Sequence, residues 1–190
     1  LADAGRERTR AAAAQIEKRL SATAQAAQDI GGAALALRRV GSNDRSGLPA
    51  LCAEALSRNN DFFATWVVFD RNAWDGKDDS YATQDEYAPS GAFVPWAFRE
   101  DGAVKVQSGM QGDEDPESYY GDFYKIPLER RSAVYIEPYT EAISNSTSVL
   151  MTTFAIPLYD EHDHTLGVAG VDLSLDFLNS LVVAETSGAT

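Results

Sequence analysis

SVLMTTFAIPLYDEHDHTLGVAGVDLSL, residues 148–175, is two apolar runs hinged on a polar pentapeptide. The first run is β-branched and aromatic, the second is aliphatic, and DEHDH between them has the composition of a tight connection. The stretch predicts an antiparallel hairpin of long strands. Pro157 has no N–H to give to a ladder, so it is expected at an edge or a bulge. Working backward, AVYIEPY at 133–139 and FFATWVVFD at 62–70 read as further strands. GAFVPWAFR at 91–99 and the strand at 104–107 form a second hairpin around REDG, with Gly102 suited to a positive φ. Helices are expected at 48–58 and at 176–184, and RNAWDGKDDSYA after the first strand reads as a polar, turn-rich connection. QGDEDPESYYGDFYKIPLERR, residues 111–131, has no clean period and reads as an irregular or short-helical wall. Helices first, then strands in succession, give an α+β layer arrangement and argue against a Rossmann fold.

Residues 4–40 contain no proline, are rich in alanine and predict one long helix. Ala13, Ile16, Leu20, Thr23, Ala27, Ile30, Ala34 and Leu37 follow alternating steps of three and four, a heptad seam. At 1.5 Å per residue the helix would run about 55 Å, longer than a sheet needs. The seam is expected to meet another chain or helix along Ile16, Leu20, Ala27 and Ile30. The chain divides into a signalling or dimerisation helix (1–40), a ligand-binding module (41–184) and a short tail (185–190).

The 190 residues hold 29 acidic against 16 basic side chains, a formal net charge of −13. The excess is local: residues 41–190 carry twenty-five acidic and nine basic side chains. Such a body repels phosphate backbones, which argues against nucleic-acid binding, and biases encounter toward cationic or zwitterionic solutes. Cys52 is the one cysteine, so no intrachain disulfide can form; it reads as a buried small hydrophobe. No run reaches the ~18 apolar residues that cross a bilayer. Leu1 and the charged run behind it read as the start of an excised fragment, with membrane segments expected outside it.

GxGxxG, Walker A and GxSxG patterns are absent, and no residue pair has the spacing of a nucleophile and its base, so no enzyme activity and no cofactor are expected. His162 and His164 lie in the hairpin connection and read as a solvated tip rather than a metal site, with no third histidine for a zinc triad. Asp172 interrupts LGVAGVDLSL, where the neighbours are aliphatic. A carboxylate there needs hydrogen bonds or a cationic partner, so it is either a structural aspartate or an anchor for a cationic ligand. Trp66, Trp96, Tyr120, Phe123, Tyr124 and Tyr139 could supply rings for cation–π contacts, and Asp122 a second anion. Asn145 heads an NST sequence and reads as loop composition.

GDFYKIP, YIEPYTEA and SVLMTTFAIPLYDEHDHTLGVAGVDLSLDFL, in that order, resemble the Cache sensor domains of bacterial chemoreceptors and sensor kinases, in particular the membrane-distal module of the double Cache type. FFATWVVFDRNAWDGKDDSYA resembles the early strand and connection of that group. The resemblance implies a PAS-like fold, with the long N-terminal helix packed on a central antiparallel sheet. It also implies a periplasmic sensing domain of an inner-membrane receptor, reaching the membrane only through segments outside this chain and homodimeric in the full receptor. Amino-acid-binding members carry an arginine, two aromatic residues, a tyrosine after Glu-Pro and a strand aspartate; the matching positions are Gly121, Phe123, Tyr124, Tyr139 and Asp172. Gly121 lacks the guanidinium that would hold an α-carboxylate. The expected ligand is therefore an amine or quaternary ammonium compound, with an amino-acid sensor or a non-binding dimerisation domain as alternatives.

Overall fold

The computed structural model describes residues 2–84, 86–108, 121–144 and 147–178. Helix α1 (Ala2–Arg39) is followed by α2 (Gly47–Ser57), β1 (Phe62–Phe69), the single turn α3 (Asp78–Tyr81), β2 (Pro95–Glu100) and β3 (Ala103–Ser108). Then come α4 (Asp122–Arg130), β4 (Val134–Tyr135), β5 (Tyr139–Ser144), β6 (Thr147–Tyr159) and β7 (Thr165–Ser174). The strands form one antiparallel sheet in the order β3-β2-β1-β7-β6-β4, with β5 also on β6. This is the expected α+β, PAS-like arrangement of a long helix on an antiparallel sheet.

Strand alternation divides the core in two. Thr65, Val67 and Phe69 of β1 and Ala169, Val171 and Leu173 of β7 face α1 and α2, where Ala27, Ile30, Ala34, Leu48 and Leu56 are fully or almost fully buried. Ala64, Trp66 and Val68, with Val168, Gly170 and Asp172, face the other way, toward α4. Cys52 lies buried in α2, where burial pushes its thiol up to about 12, and its carbonyl accepts from Thr65 at 2.7 Å. Gly31 lets α1 close on β6: a Cβ there would sit 2.5 Å from Ile156 Cδ1.

The structure corrects some expectations and makes others definite. The heptad seam is not one continuous external face, because Thr23, Ala27, Ile30 and Ala34 are buried against this chain's own sheet. Steps of three and four serve a helix laid on a sheet as well as a coiled coil. Ala13, Ile16, Leu20 and Ala24 instead line a shallow apolar groove with Tyr135. The strand expected at 133–139 breaks into β4 and β5, separated by residues 136–138, and pairing continues to Ser144. The second hairpin begins at Pro95, not at 91; Asp101 (φ 51) and Gly102 (φ 79) form its turn. Pro157 pairs with Val168 of β7 and lies past the last β4 partner, Ala155, where no N–H is asked of it from that side. Residues 122–130 of the expected wall are helical. The helix expected at 176–184 is seen as one turn over 176–178, and the remainder lies outside the described residues.

Candidate functional site

The candidate site is built on the sheet face away from α1. Register places Ala64, Asp172 and Thr153 side by side on β1, β7 and β6, and one pair further along Trp96, Trp66, Gly170 and Ala155. Asp172 therefore lies diagonal to Trp66, within reach of a long side chain. The Trp66 indole crosses over Gly170, where a Cβ would come within 2.2 Å of its Cζ2. Its N–H donates to both Asp172 oxygens, Oδ1 and Oδ2, at 3.1 Å each. Thr153 Oγ1 donates to Oδ1 at 2.6 Å, and Tyr139 OH lies 2.8 Å from Thr153 Oγ1. A threonine has one hydroxyl hydrogen, already given to Asp172, so Tyr139 is the donor of that pair.

Asp172 is 7% exposed, and none of these partners is charged. Burial pushes its carboxyl up to about 6; the bonds from Thr153 and Trp66 hold it lower than burial alone would, and the Glu141 charge adds a small push upward. Asp70, just beyond β1, is also raised by burial, and it accepts a hydrogen bond from the Tyr124 hydroxyl. Phe123 meets the Trp66 ring edge to face, centroids 5.2 Å apart. Trp96 is half-buried and stacks on Phe98 at 4.2 Å.

Of the residues expected from sequence, Trp66, Phe123, Tyr139 and Asp172 thus come together, and Trp96 flanks them on β2. Tyr124 joins the same apolar cluster but bonds Asp70 rather than Asp172. Asp122 is exposed in the first turn of α4, and the hydrogen bonds to Asp172 come from Trp66 and Thr153 instead. Tyr120 and Asn145 lie outside the described residues. Thr153 was missed; its signal is weak, being one hydroxyl in a threonine-rich strand whose register with Asp172 only pairing reveals. His162 and His164 are exposed at the β6–β7 turn, where Asp160 accepts both their backbone N–H groups at 2.8 and 2.9 Å. Among the described residues no three His, Cys, Asp or Glu side chains could hold a metal together.

A second polar cluster had no sequence signal. Arg45, from the loop before α2, forks onto Asp75 at 2.9 and 2.7 Å, reaches Asp78 at 2.5 Å and donates to the Gly91 carbonyl at 2.9 Å. Its guanidinium lies 3.9 Å from the Tyr81 ring centroid. Burial opposes the Arg45 charge, but the bonds and charges of Asp75 and Asp78 outweigh it, leaving the guanidinium more firmly protonated than usual. The cluster pins the β1–β2 connection onto α2.

A family model described as "Methyl-accepting chemotaxis protein-like, first PDC sensor domain" matches residues 48–180, which contain every element above except α1. The chain belongs to this family. It is a Cache-like extracytoplasmic sensing domain, of a non-catalytic class. The methyl-accepting chemotaxis protein TlpQ of Pseudomonas aeruginosa is 28% identical over 146 residues, covering 72% of this chain and 20% of that protein. A solved methyl-accepting chemotaxis protein X shares the fold at 24% identity and a TM-score of 0.75, over 91% of this chain and 62% of that one. The ligand-binding domain of the Pseudomonas aeruginosa PAO1 amino-acid chemoreceptor PctC, in complex with GABA, does so at 17% identity and a TM-score of 0.58, over 92% and 64%. Extracellular domains of histidine kinases share the fold too. The chain thus spans a fifth of its curated relative and about three fifths of the solved chains. Among the described residues no helix is long and apolar enough to cross a membrane.

Proposed function

We propose that this domain senses a small solute through its ammonium group, held by Asp172 against Trp66, Phe123 and Tyr139. The observation that carries this reading is a buried carboxylate whose described hydrogen-bond partners are all neutral. A carboxylate so placed is costly to keep ionised, and a cationic nitrogen would offset that cost while the rings add cation–π attraction. Amino acids are the first class to test, since the related PctC domain holds GABA and a Tlp3 domain of Campylobacter jejuni holds isoleucine. Amines and quaternary ammonium compounds are the second. Gly121 favours them, because it offers no charge to a ligand carboxylate. In the same reading the chain is the membrane-distal module of a double Cache receptor, periplasmic in an inner-membrane protein. The receptor is homodimeric, and residues 1–40 relay the signal.

Calorimetry with panels of amino acids, amines, betaines and dicarboxylates tests this directly. The best ligand should carry an ammonium nitrogen, and Asp172→Asn should lose about 2–5 kcal/mol of its binding. Unchanged affinity in the folded variant removes Asp172 from the site. A dicarboxylate as best ligand overturns the ammonium assignment, and no binding by any panel member favours a dimerisation domain.

A further inference from the structure

The donors around Asp172 fix its shape as well as its charge. With Trp66 Nε1 equally far from Oδ1 and Oδ2, the indole nitrogen lies on the perpendicular bisector of the two oxygens. A guanidinium making two parallel N–H bonds needs an open acceptor site on each oxygen, and the indole already draws on both. Thr153 occupies a further site on Oδ1. A carboxylate has about four lone-pair sites, so these contacts leave room for roughly one more strong donor, chiefly on Oδ2.

We propose that Trp66 and Thr153 are positioning residues that present Asp172 to a single N–H, so that the site selects an ammonium over a guanidinium group. The selectivity rests on the reading that the site takes a cationic nitrogen; the positioning role does not. Gly170 makes the posture possible, since only a residue without Cβ lets the indole lie across β7 with its N–H over the carboxylate. Phe123 meets the same ring edge to face at 5.2 Å, on the side of α4. Thr153 is in turn held by Tyr139, so donors from β1 and β6 converge on one carboxyl group and β5 braces the second of them.

Two measurements test this, one needing no ligand. Carbon-detected NMR titration of the Asp172 carboxyl should give a midpoint near 6 in the wild type. Trp66→Phe and Thr153→Val should each raise it, because each removes a donor that favours the charged form, whereas Thr153→Ser should restore it. Unchanged midpoints in both folded variants overturn the positioning role. Calorimetry with butylamine against butylguanidine, and 4-aminobutanoate against 4-guanidinobutanoate, reads the selectivity. The wild type should bind the ammonium member of a pair about tenfold tighter, as expected when a guanidinium leaves one donor unpaired. Trp66→Phe should narrow the gap to about threefold or less. Equal or reversed preference in the wild type overturns the selectivity. Failure of every ammonium compound to bind sinks the reading beneath it, while the titration still decides whether Trp66 and Thr153 position Asp172.

Discussion

Burial pushes the Asp172 carboxyl up to about 6 in the folded domain, against about 3.9 in an unfolded chain. Below pH 4 it is protonated in both states and contributes nothing to pH dependence. Between about 4 and 6 the unfolded chain releases its proton while the folded domain keeps it, so stability falls as pH rises through that window. The loss, from a shift of about two units, is on the order of 3 kcal/mol, complete once the folded group ionises. Asp172→Asn should remove this decline and leave the ligand-free domain more stable than wild type at pH 7. Urea denaturation of both proteins from pH 4 to 7 checks it, and parallel profiles would refute the buried-carboxyl account. Binding of a cation should run oppositely, weakening about tenfold from pH 7 to 5 as Asp172 takes up its proton. Asp172 was legible in sequence because a lone acid in an aliphatic strand is conspicuous. Thr153 was not, because its importance lies in which residue it pairs with, and register is not written in one strand alone.

At the scale of elements, α2 and the β1–β2 connection depend on Arg45. Its side chain and that of Asp75 are 2% and 0% exposed. Burial pushes the Asp75 carboxyl up, but the Arg45 bonds and charge, with the Lys77 backbone N–H, more than reverse this and leave it lowered. Arg45→Met would strand Asp75 and Asp78 without their cation, at a cost of about 3–5 kcal/mol. Thermal denaturation should show the loss, and adding Asp75→Asn and Asp78→Asn should return part of it; a near-neutral single substitution would mean that the cluster is dispensable. Most elements followed from local pattern: alanine spacing for α1, alternation for β1 and β7, turn chemistry at Asp101 and Gly102. The Arg45 cluster did not, because its partners lie 30 and 33 residues away in a stretch whose acids look like ordinary turn residues. The seam of α1 misled for the opposite reason, since one spacing fits two kinds of neighbour.

For the molecule as a whole, the described side chains of α1 from residue 5 to 11 are exposed, and close burial begins at Thr23. Removing residues 1–11 should therefore leave the melting temperature within about 2 °C of the parent domain, since the described side chains of that stretch bury nothing. A larger fall would show that the first turns of α1 are held by something beyond their own helix. The far end of α1 is different, for Ile30 and Ala34 lie almost wholly buried in the core. Strand β7 separates the two halves of that core: Val171 and Leu173 are packed under the helix, while Gly170 and Asp172 belong to the opposite face, with Trp66. Successive residues of one strand thus answer to different masters. Under the proposed function, the strand that carries Asp172 is also the strand on which α1 rests, so β7 leaves evolution little freedom to change taste without changing voice. Residues on α4 and β5 lie on the Asp172 side of the sheet without underpinning the helix, and under the proposed function new preferences can be acquired there while the message stays the same.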